Sequence, residues 1–268
     1  MSRPIAVAAT AAFGADVLER LTERHEITAL VTRPDAPAGR GRKLVPSPAK
    51  RAAERLGIRV LEPERLVPGM DLGADVVVAV AYGLIVPDEV LAERLWLNVH
   101  PSLLPRWRGA APVERALMAG DVSTGVSIIK LVKELDAGPI ALQSEFVVGL
   151  DEDAGAVYAQ AAELAELALG DVLANPTPTF TEQEGEATYA AKIGPEDRKL
   201  DLGRPAIELV NRVRALSPHI GARADMHGRT VTIWKARLGQ DNSFEPVEVQ
   251  PDGKGRMAYE AWLRGLRP

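Results

Sequence analysis

Short, uninterrupted apolar runs recur along the N-terminal part of the chain, and segments with a helical spacing of apolar side chains separate them. Because the runs are continuous rather than alternating, they are typical of strands that are buried on both faces. Strands that alternate with helices indicate a parallel sheet built from βαβ units. We therefore expect an α/β fold, with a Rossmann-like, mostly parallel sheet and helices on both faces. The predicted strands cover residues 5–9, 27–31, 58–61, 76–81 and 95–99.

The clearest helix signal lies at residues 48–56. Ser47 stands where an N-cap is expected, Pro48 takes the first helical position and Gly57 follows the last turn. Each of these residue types is favoured at that place in a helix. We therefore predict a helix with well-defined ends between the second and third predicted strands.

The pattern changes after residue 120, where apolar segments at 126–131 and 141–146 flank a turn sequence at 136–139. This arrangement predicts a β-hairpin. A helix is expected from about Asp153, and after it come a segment rich in Pro, Glu, Thr and Gly, another helix pattern and short strands. We expect an N-terminal α/β domain at residues 1–178, a linker at 179–203 and a small β-rich C-terminal domain at 204–268.

The composition is that of an ordinary soluble globular protein, with 46% apolar and 26% charged residues in a chain of 268. No apolar run approaches the ~18 residues of a membrane span, and the N-terminus lacks the features of a signal peptide. The chain has no cysteine, which excludes disulfides, thiolate metal sites and a cysteine nucleophile. We therefore expect a cytoplasmic protein that does not contact membranes.

Several common classes of α/β enzyme lack their signatures in this sequence. The first predicted strand is not followed by G-x-G-x-x-G, and neither G-x-x-x-x-G-K-[ST] nor G-x-S-x-G occurs. Functions as a dinucleotide-dependent dehydrogenase, a P-loop ATPase or a nucleophile-elbow hydrolase are therefore disfavoured. The histidines show no metal-ligand spacing, so we expect no metal site; they are His25, His100, His219 and His227.

Charge is unevenly distributed along the chain, although the net charge is only −5. Residues 31–60 contain eight basic side chains and two acidic ones, whereas residues 141–190 contain ten acidic side chains and no Lys or Arg. Two interpretations fit this segregation. Either the charges lie on solvated surfaces, or the early basic segment contacts a polyanion that avoids the acidic segment.

Asn98 and His100 are the strongest candidates for chemistry. They lie two residues apart at the C-terminal end of a predicted strand, so both side chains point to the same side of the sheet, at the edge where open α/β sheets bind ligands. An amide donor beside an imidazole can hold a developing oxyanion and move a proton, as acyl transfer requires. Asp136, in the predicted hairpin turn, is the carboxylate that would orient His100 and favour its charged form. Taken alone, each motif is more often part of a turn than of a catalytic site.

Asn98, His100 and Asp136 belong to a set of five motifs: NVHPSLLPRWRGAAP at 98–112, LDAG at 135–138, AYGLIVP at 81–87, RPDAPAGRGRKL at 33–44 and VQPDGKGRM at 249–257. This set resembles the methionyl-tRNA formyltransferases, the tRNA branch of a formyl-transfer family. The wider family, which includes enzymes acting on glycinamide ribonucleotide and sugar nucleotides, shares the Asn-x-His pair and the later Asp. The resemblance implies a catalytic N-terminal domain and a C-terminal domain similar to an OB fold, here shortened.

The resemblance implies transfer of a formyl group from 10-formyltetrahydrofolate to the α-amino group of methionyl initiator tRNA, for translation initiation. Asn98 and His100 would stabilise negative charge on the formyl oxygen, while Asp136 would hold His100 charged and accept the amine proton. The folate would bind along Tyr82, Gly83, Leu84, Ile85, Ser102, Leu103, Leu104 and Pro105. The tRNA would contact Arg33, Arg40, Arg42 and Lys43 in a loop made adaptable by Gly39 and Gly41, with Arg212, Arg214 and Lys235 as further candidates.

Three alternatives keep part of this interpretation. A sugar-nucleotide or other amine N-formyltransferase would use the same catalytic residues on a different acceptor, and would leave the basic segment without a purpose. A non-catalytic folate- or RNA-binding relative would have no use for the intact Asn98, His100 and Asp136. Hydrolysis of the donor to formate would need only water in place of the amine. No sequence feature indicates an oligomer, and we expect a monomer.

Overall fold

The computed structural model describes residues 3–38 and 43–266, and strands alternate with helices through the first half of the chain. In the described residues, no helix is long and apolar enough to cross a lipid bilayer. The helices are α1 (Ala12–Leu21), α2 (Pro48–Arg55), α3 (Asp88–Leu91), α4 (Pro112–Ala119), α5 (Ala154–Ala174), α6 (Ala206–Leu216) and α7 (Tyr259–Arg264), with a 3₁₀ turn at Glu196–Arg198. The strands are β1 (Ile5–Ala9), β2 (Ile27–Val31), β3 (Ala36–Ala38), β4 (Lys43–Val45), β5 (Val60–Leu61), β6 (Val76–Val80), β7 (Leu95–His100), β8 (Arg108–Gly109), β9 (Ser123–Lys130), β10 (Ile140–Val147), β11 (Tyr189–Ala190), β12 (Ala222–Met226), β13 (Arg229–Leu238), β14 (Phe244–Pro251) and β15 (Met257–Ala258).

A seven-stranded sheet in the order β10-β9-β7-β6-β1-β2-β5 positions the candidate site. The strands from β7 to β5 are parallel to their neighbours, and β9 runs antiparallel to β7. Every residue of β1 and β6 is buried, as continuous apolar runs predict for strands covered on both faces. The mostly parallel α/β fold expected from the sequence is therefore confirmed. The predicted hairpin strands β9 and β10 lie side by side, and the loop between them carries Asp136.

The contacts of the chain define two compact units that are interleaved along the sequence. Within the described residues, the first unit comprises 3–38, 43–108, 125–145 and 159–188, and the second comprises 109–124, 146–158 and 189–266. The seven-stranded sheet belongs mainly to the first unit. The domain boundaries expected at residues 178 and 203 stay predictions.

The second unit contains an antiparallel sheet in the order β12-β13-β14-β15. Its long strands β13 and β14 pair from Val231 opposite Pro251 to Leu238 opposite Phe244. The core of this unit is apolar and includes Val213 of α6 and Trp262 of α7. The small, β-rich C-terminal part expected from the sequence is therefore confirmed, and the pairing of β13 with β14 shifts register between Ile233 and Ala236.

The predicted ends of α2 are observed. The Ser47 side chain accepts a hydrogen bond from the Lys50 backbone N–H at 3.0 Å, and its hydroxyl lies 2.9 Å from the hydroxyl of Thr32 just beyond β2. Pro48 opens the helix, and Gly57 adopts φ 70°, a left-handed conformation that glycine reaches without strain.

We expect Ser47→Ala to lower the free energy of unfolding by about 1 kcal/mol, because the first turn of α2 loses its side-chain acceptor. Urea denaturation followed by circular dichroism measures this change. Ser47→Asn, which restores an N-cap acceptor, is the control and should lose less stability. Equal stability of Ser47→Ala and the wild type would contradict the capping role.

Candidate active site

Three polar side chains meet at the C-terminal end of β7. The Asn98 Nδ2 atom donates a hydrogen bond to Asp136 Oδ1 at 3.2 Å, and His100 Nδ1 lies 3.5 Å from Asp136 Oδ2. His100 and Asp136 are only 4% and 7% exposed. Each oxygen of one buried carboxylate therefore faces a different member of the Asn-x-His pair, so the structure brings together all three residues that the sequence proposed for catalysis.

The second nitrogen of His100 faces a backbone group. His100 Nε2 lies 2.8 Å from the carbonyl oxygen of Trp107. Because a carbonyl oxygen can only accept, Nε2 carries a proton. Nδ1 faces the Asp136 carboxylate, which also accepts when ionised, so an acceptor group lies beside each ring nitrogen of His100.

Two residues of the hairpin, Ser127 of β9 and Gln143 of β10, form hydrogen bonds with the backbone of the loop after β7. The Ser127 hydroxyl donates to the Ser102 carbonyl at 2.6 Å and accepts from the Leu104 backbone N–H at 3.1 Å. Gln143 Nε2 donates to the Leu104 carbonyl at 2.9 Å and to the Ser127 hydroxyl at 2.8 Å. These contacts fix the backbone of residues 102–105, which the resemblance assigns to the folate. The Ser102 hydroxyl donates a further hydrogen bond to the Arg106 carbonyl.

Neither Ser127 nor Gln143 was singled out from the sequence. Ser127 is completely buried within β9, where its neighbours are apolar. A hydroxyl inside an otherwise apolar run is the signal that could have identified it, because a buried polar group must find hydrogen-bond partners. Gln143 lies on a strand of mixed exposure and carried no such signal.

The other segment assigned to the folate follows β6, the neighbour of β7. Tyr82 is 4% exposed, its ring packs in the core cluster that contains Trp96, and burial raises the pKa of Tyr82 to about 12. Gly83 adopts φ 76°. Leu84 packs partly against the same cluster, whereas Ile85 is 89% exposed. Of these four residues, Ile85 is therefore the one that presents an apolar side chain to solvent.

In the segment that follows β7, Leu103 and Pro105 are half-buried and Leu104 is buried. Segments 82–85 and 102–105 follow the neighbouring strands β6 and β7, which pair in parallel, so they leave the sheet at the same edge. The two segments can therefore line one binding site.

The basic loop is described at its base only. Arg33 and Lys43 are exposed, and Arg33 extends toward Gly83. Below the loop, Lys50 Nζ binds Asp35 and Glu62, each at 2.8 Å, and these two carboxylates raise the pKa of the Lys50 amine. Lys50 therefore anchors the start of the loop. Arg40 and Arg42, with Gly39 and Gly41, lie outside the described residues.

The candidates in the second unit have different surroundings. Arg214 donates to the Asn211 side chain at 3.0 Å and to the Gly149 carbonyl at 3.1 Å, and burial lowers the pKa of its guanidinium. Arg214 thus has partners within the second unit, and its contact with tRNA stays a prediction. Arg212 and Lys235 are at least partly exposed. Within residues 3–38 and 43–266, no group of three or more His, Asp or Glu side chains has the arrangement of a metal site.

Comparison with family models gives two matches. Residues 3–173 match the model described as formyl transferase, and residues 192–246 match the model described as formyl transferase, C-terminal domain. A methionyl-tRNA formyltransferase of Paracoccus denitrificans is 37% identical over 281 residues, which cover 95% of this chain and 94% of that protein.

Solved structures show the same fold at lower identity. Methionyl-tRNA formyltransferase from Clostridium thermocellum aligns with a TM-score of 0.64 at 15% identity, covering 95% of this chain and 100% of that one. HypX from Aquifex aeolicus in complex with tetrahydrofolic acid aligns with a TM-score of 0.67 at 18% identity, covering 98% of this chain and 47% of that one.

Proposed function

The chain belongs to the formyl transferase family and is an enzyme that formylates methionyl-tRNA, and we propose that 10-formyltetrahydrofolate is its donor and the α-amino group of methionyl initiator tRNA its acceptor. The membership confirms the resemblance carried by residues 98–112. The observation that carries the proposed chemistry is the buried contact of Asp136 with both Asn98 and His100. A folate-type donor is supported by the family match and by the structural neighbour bound to tetrahydrofolic acid.

Asn98 stabilises the formyl oxygen. Attack of the amine on the formyl carbon places negative charge on that oxygen, and a preorganised donor is most effective where charge develops. A carboxamide nitrogen carries two N–H donors. One donates to Asp136 Oδ1 and fixes the side chain, so the other is aimed by that contact and donates to the formyl oxygen.

His100 and Asp136 supply charge and move the proton. Held as an imidazolium between the Trp107 carbonyl and Asp136, His100 stabilises the same negative charge electrostatically. Asp136 accepts the proton that the attacking amine loses, directly or through one water, and His100 delivers a proton to the nitrogen that leaves. One C–N bond forms and one breaks, and the proton on Asp136 then passes to His100, whose Nδ1 lies 3.5 Å from Asp136 Oδ2, which restores both groups.

The residues at the edge of β6 and β7 fit a folate. A flat ring system needs apolar contacts with a few well-placed backbone groups. The exposed Ile85 side chain offers such a contact, and the backbone of Gly83 is not covered by a side chain because glycine has no Cβ. Leu103 and Pro105 provide further apolar surface, while Ser127 and Gln143 hold their loop.

The acceptor is tested with purified enzyme, 10-formyltetrahydrofolate and three separate acceptors. We expect formylmethionyl-tRNA to form from methionyl initiator tRNA, with little product from a nucleotide-linked amino sugar and slow formate release with water alone. Transfer to the amino sugar only would assign the sugar-nucleotide alternative. Formate as the main product would indicate a hydrolase, and donor binding without any product would indicate a non-catalytic relative.

Contacts between the basic loop and tRNA phosphates predict a strong salt dependence. Replacing Arg40, Arg42 and Lys43 together by alanine should raise the KM for methionyl-tRNA. The slope of log affinity against log salt should fall by about 0.7–0.9 for each phosphate contact removed. Filter binding at several salt concentrations measures this slope, and the KM for the donor should not change.

Arg55→Ala is the matched control, since Arg55 belongs to the same basic segment but pairs with Glu19. Its salt slope should equal that of the wild type. An unchanged slope in the triple variant would show that the loop does not contact the tRNA. Action as a monomer and a cytoplasmic location stay predictions.

A further inference from the structure

The side chain of Gln183 uses its whole hydrogen-bonding capacity to join two loops of the first unit. Its Oε1 atom accepts from Arg108 Nε at 3.0 Å and from Arg108 Nη2 at 2.7 Å. Its Nε2 atom donates to the backbone carbonyls of Asp136 at 2.7 Å and Gly138 at 2.8 Å. Four hydrogen bonds from one carboxamide exhaust its donors and its acceptor lone pairs.

The two joined loops supply the two acceptors that flank the His100 ring. Arg108 directly follows Trp107, whose carbonyl oxygen faces His100 Nε2, and Asp136 faces His100 Nδ1 through its carboxylate. Gln183 therefore connects the two segments whose acceptor groups lie on either side of the His100 ring. A change of about 1 Å in the separation of such groups can cost two orders of magnitude in rate.

The segment that carries Gln183 is itself tied to the same loops. Thr181 exchanges two backbone hydrogen bonds with Ile140, at 2.7 and 2.9 Å, and the Thr188 hydroxyl accepts from the Trp107 backbone N–H at 2.9 Å. Residues 159–188, which include this segment, belong to the first unit. Gln183 is thus presented from a fixed backbone.

Both acceptor residues have unusual backbone conformations. Asp136 adopts φ 50° and Trp107 adopts φ 65°, in the left-handed region that residues with side chains rarely occupy. Such conformations persist where the surroundings fix them. The Gln183 hydrogen bond to the Asp136 carbonyl, and the Thr188 hydrogen bond to the Trp107 N–H, are contacts that fix these two residues.

We propose that Gln183 is a positioning residue for formyl transfer, which holds Asp136 and the Trp107 carbonyl at the correct distance on either side of His100. This role rests on the proposed catalytic functions of His100 and Asp136. It acts through Asp136 and involves no contact with either substrate.

Two variants of Gln183 test the hydrogen bonds of its oxygen to Arg108 and of its nitrogen to the Asp136 and Gly138 carbonyls. Gln183→Met keeps a similar length and removes all four hydrogen bonds. Gln183→Glu keeps the acceptor for Arg108 but places a carboxylate oxygen against the Asp136 and Gly138 carbonyls. We expect both variants to lower kcat by about 10- to 100-fold, with the KM values for donor and methionyl-tRNA within about twofold of wild type. Glu184→Gln, an exposed neighbouring change, is the control and should retain full kcat.

A double-mutant cycle distinguishes positioning from general stability. If Gln183 acts through Asp136, Gln183→Met should cost less than about threefold in an Asp136→Asn background, because coupled residues are not additive. An equal loss in both backgrounds, or an unchanged kcat in the wild-type background, would overturn the role of Gln183. Full activity of Asp136→Asn alone would instead overturn the catalytic assignment of Asp136, so the two failures are distinguishable.

Discussion

Replacing His100 by alanine is expected to lower kcat/KM for formyl transfer by about 10²–10⁴-fold, the usual contribution of a positioned acid–base group. The substitution removes the ring that lies between Asp136 and the Trp107 carbonyl, and with it the proposed cation and the proposed proton donor to the leaving nitrogen. Single-turnover formation of formylmethionyl-tRNA measures the loss at the chemical step. Binding of the donor, which other residues provide, should persist.

The control for this prediction keeps polarity but not charge. His100→Gln places a neutral amide in the same buried pocket and should be nearly as inactive as His100→Ala, since the imidazolium charge is lost in both. A melting temperature close to that of the wild type would show that the His100→Gln fold is retained. Full activity of His100→Gln would show that no cationic ring is needed, and would refute the mechanism.

The elements of the sheet were predictable because their signals are local. The continuous apolar runs identified β1, β2, β6 and β7, and the Ser47, Pro48 and Gly57 signals defined both ends of α2. The same reasoning placed Asn98 and His100 at the carboxyl end of a strand, where ligands of open α/β sheets bind. Periodicity, capping and strand ends are properties of neighbouring residues, and one sequence contains them.

The partners of His100 were less accessible to such reasoning. The Trp107 contact is made by a backbone carbonyl, and every residue has a backbone carbonyl, so the side-chain type at position 107 carries no information about it. Gln183 joins Arg108 across 75 residues and Asp136 across 47 residues. Contacts over that separation depend on how the chain is folded in space.

Tyr82 shows a further difference between sequence interpretation and geometry. The resemblance assigned it to the folate, and its ring lies in the core cluster with Trp96. The Tyr82 backbone lies next to Gly83 at the edge of the site, and the Tyr82 carbonyl accepts a hydrogen bond from the Thr10 hydroxyl at 2.8 Å. A motif position can thus be important for the path of the backbone while its side chain packs elsewhere.

At Asn98, unlike Tyr82, the side chain itself is the proposed functional group. Asn98→Ala is expected to lower kcat by about 10²–10³-fold, the usual cost of losing one oxyanion donor. The KM for methionyl-tRNA should stay near the wild-type value. Steady-state kinetics with both substrates varied provides the measurement.

Asn98→Asp tests why the donor is needed. The substitution keeps the size of the side chain but replaces N–H donors with a carboxylate that faces Asp136 Oδ1, where Asn98 Nδ2 now donates. Two carboxylates at this distance repel each other or share a proton, and neither state supplies the neutral amide donor. We therefore expect Asn98→Asp to be at least as inactive as Asn98→Ala. If Asn98→Asp were as active as the wild type, the donor role of this side chain would be wrong, and the negative charge on the formyl oxygen would have to be stabilised by His100 and backbone N–H groups alone.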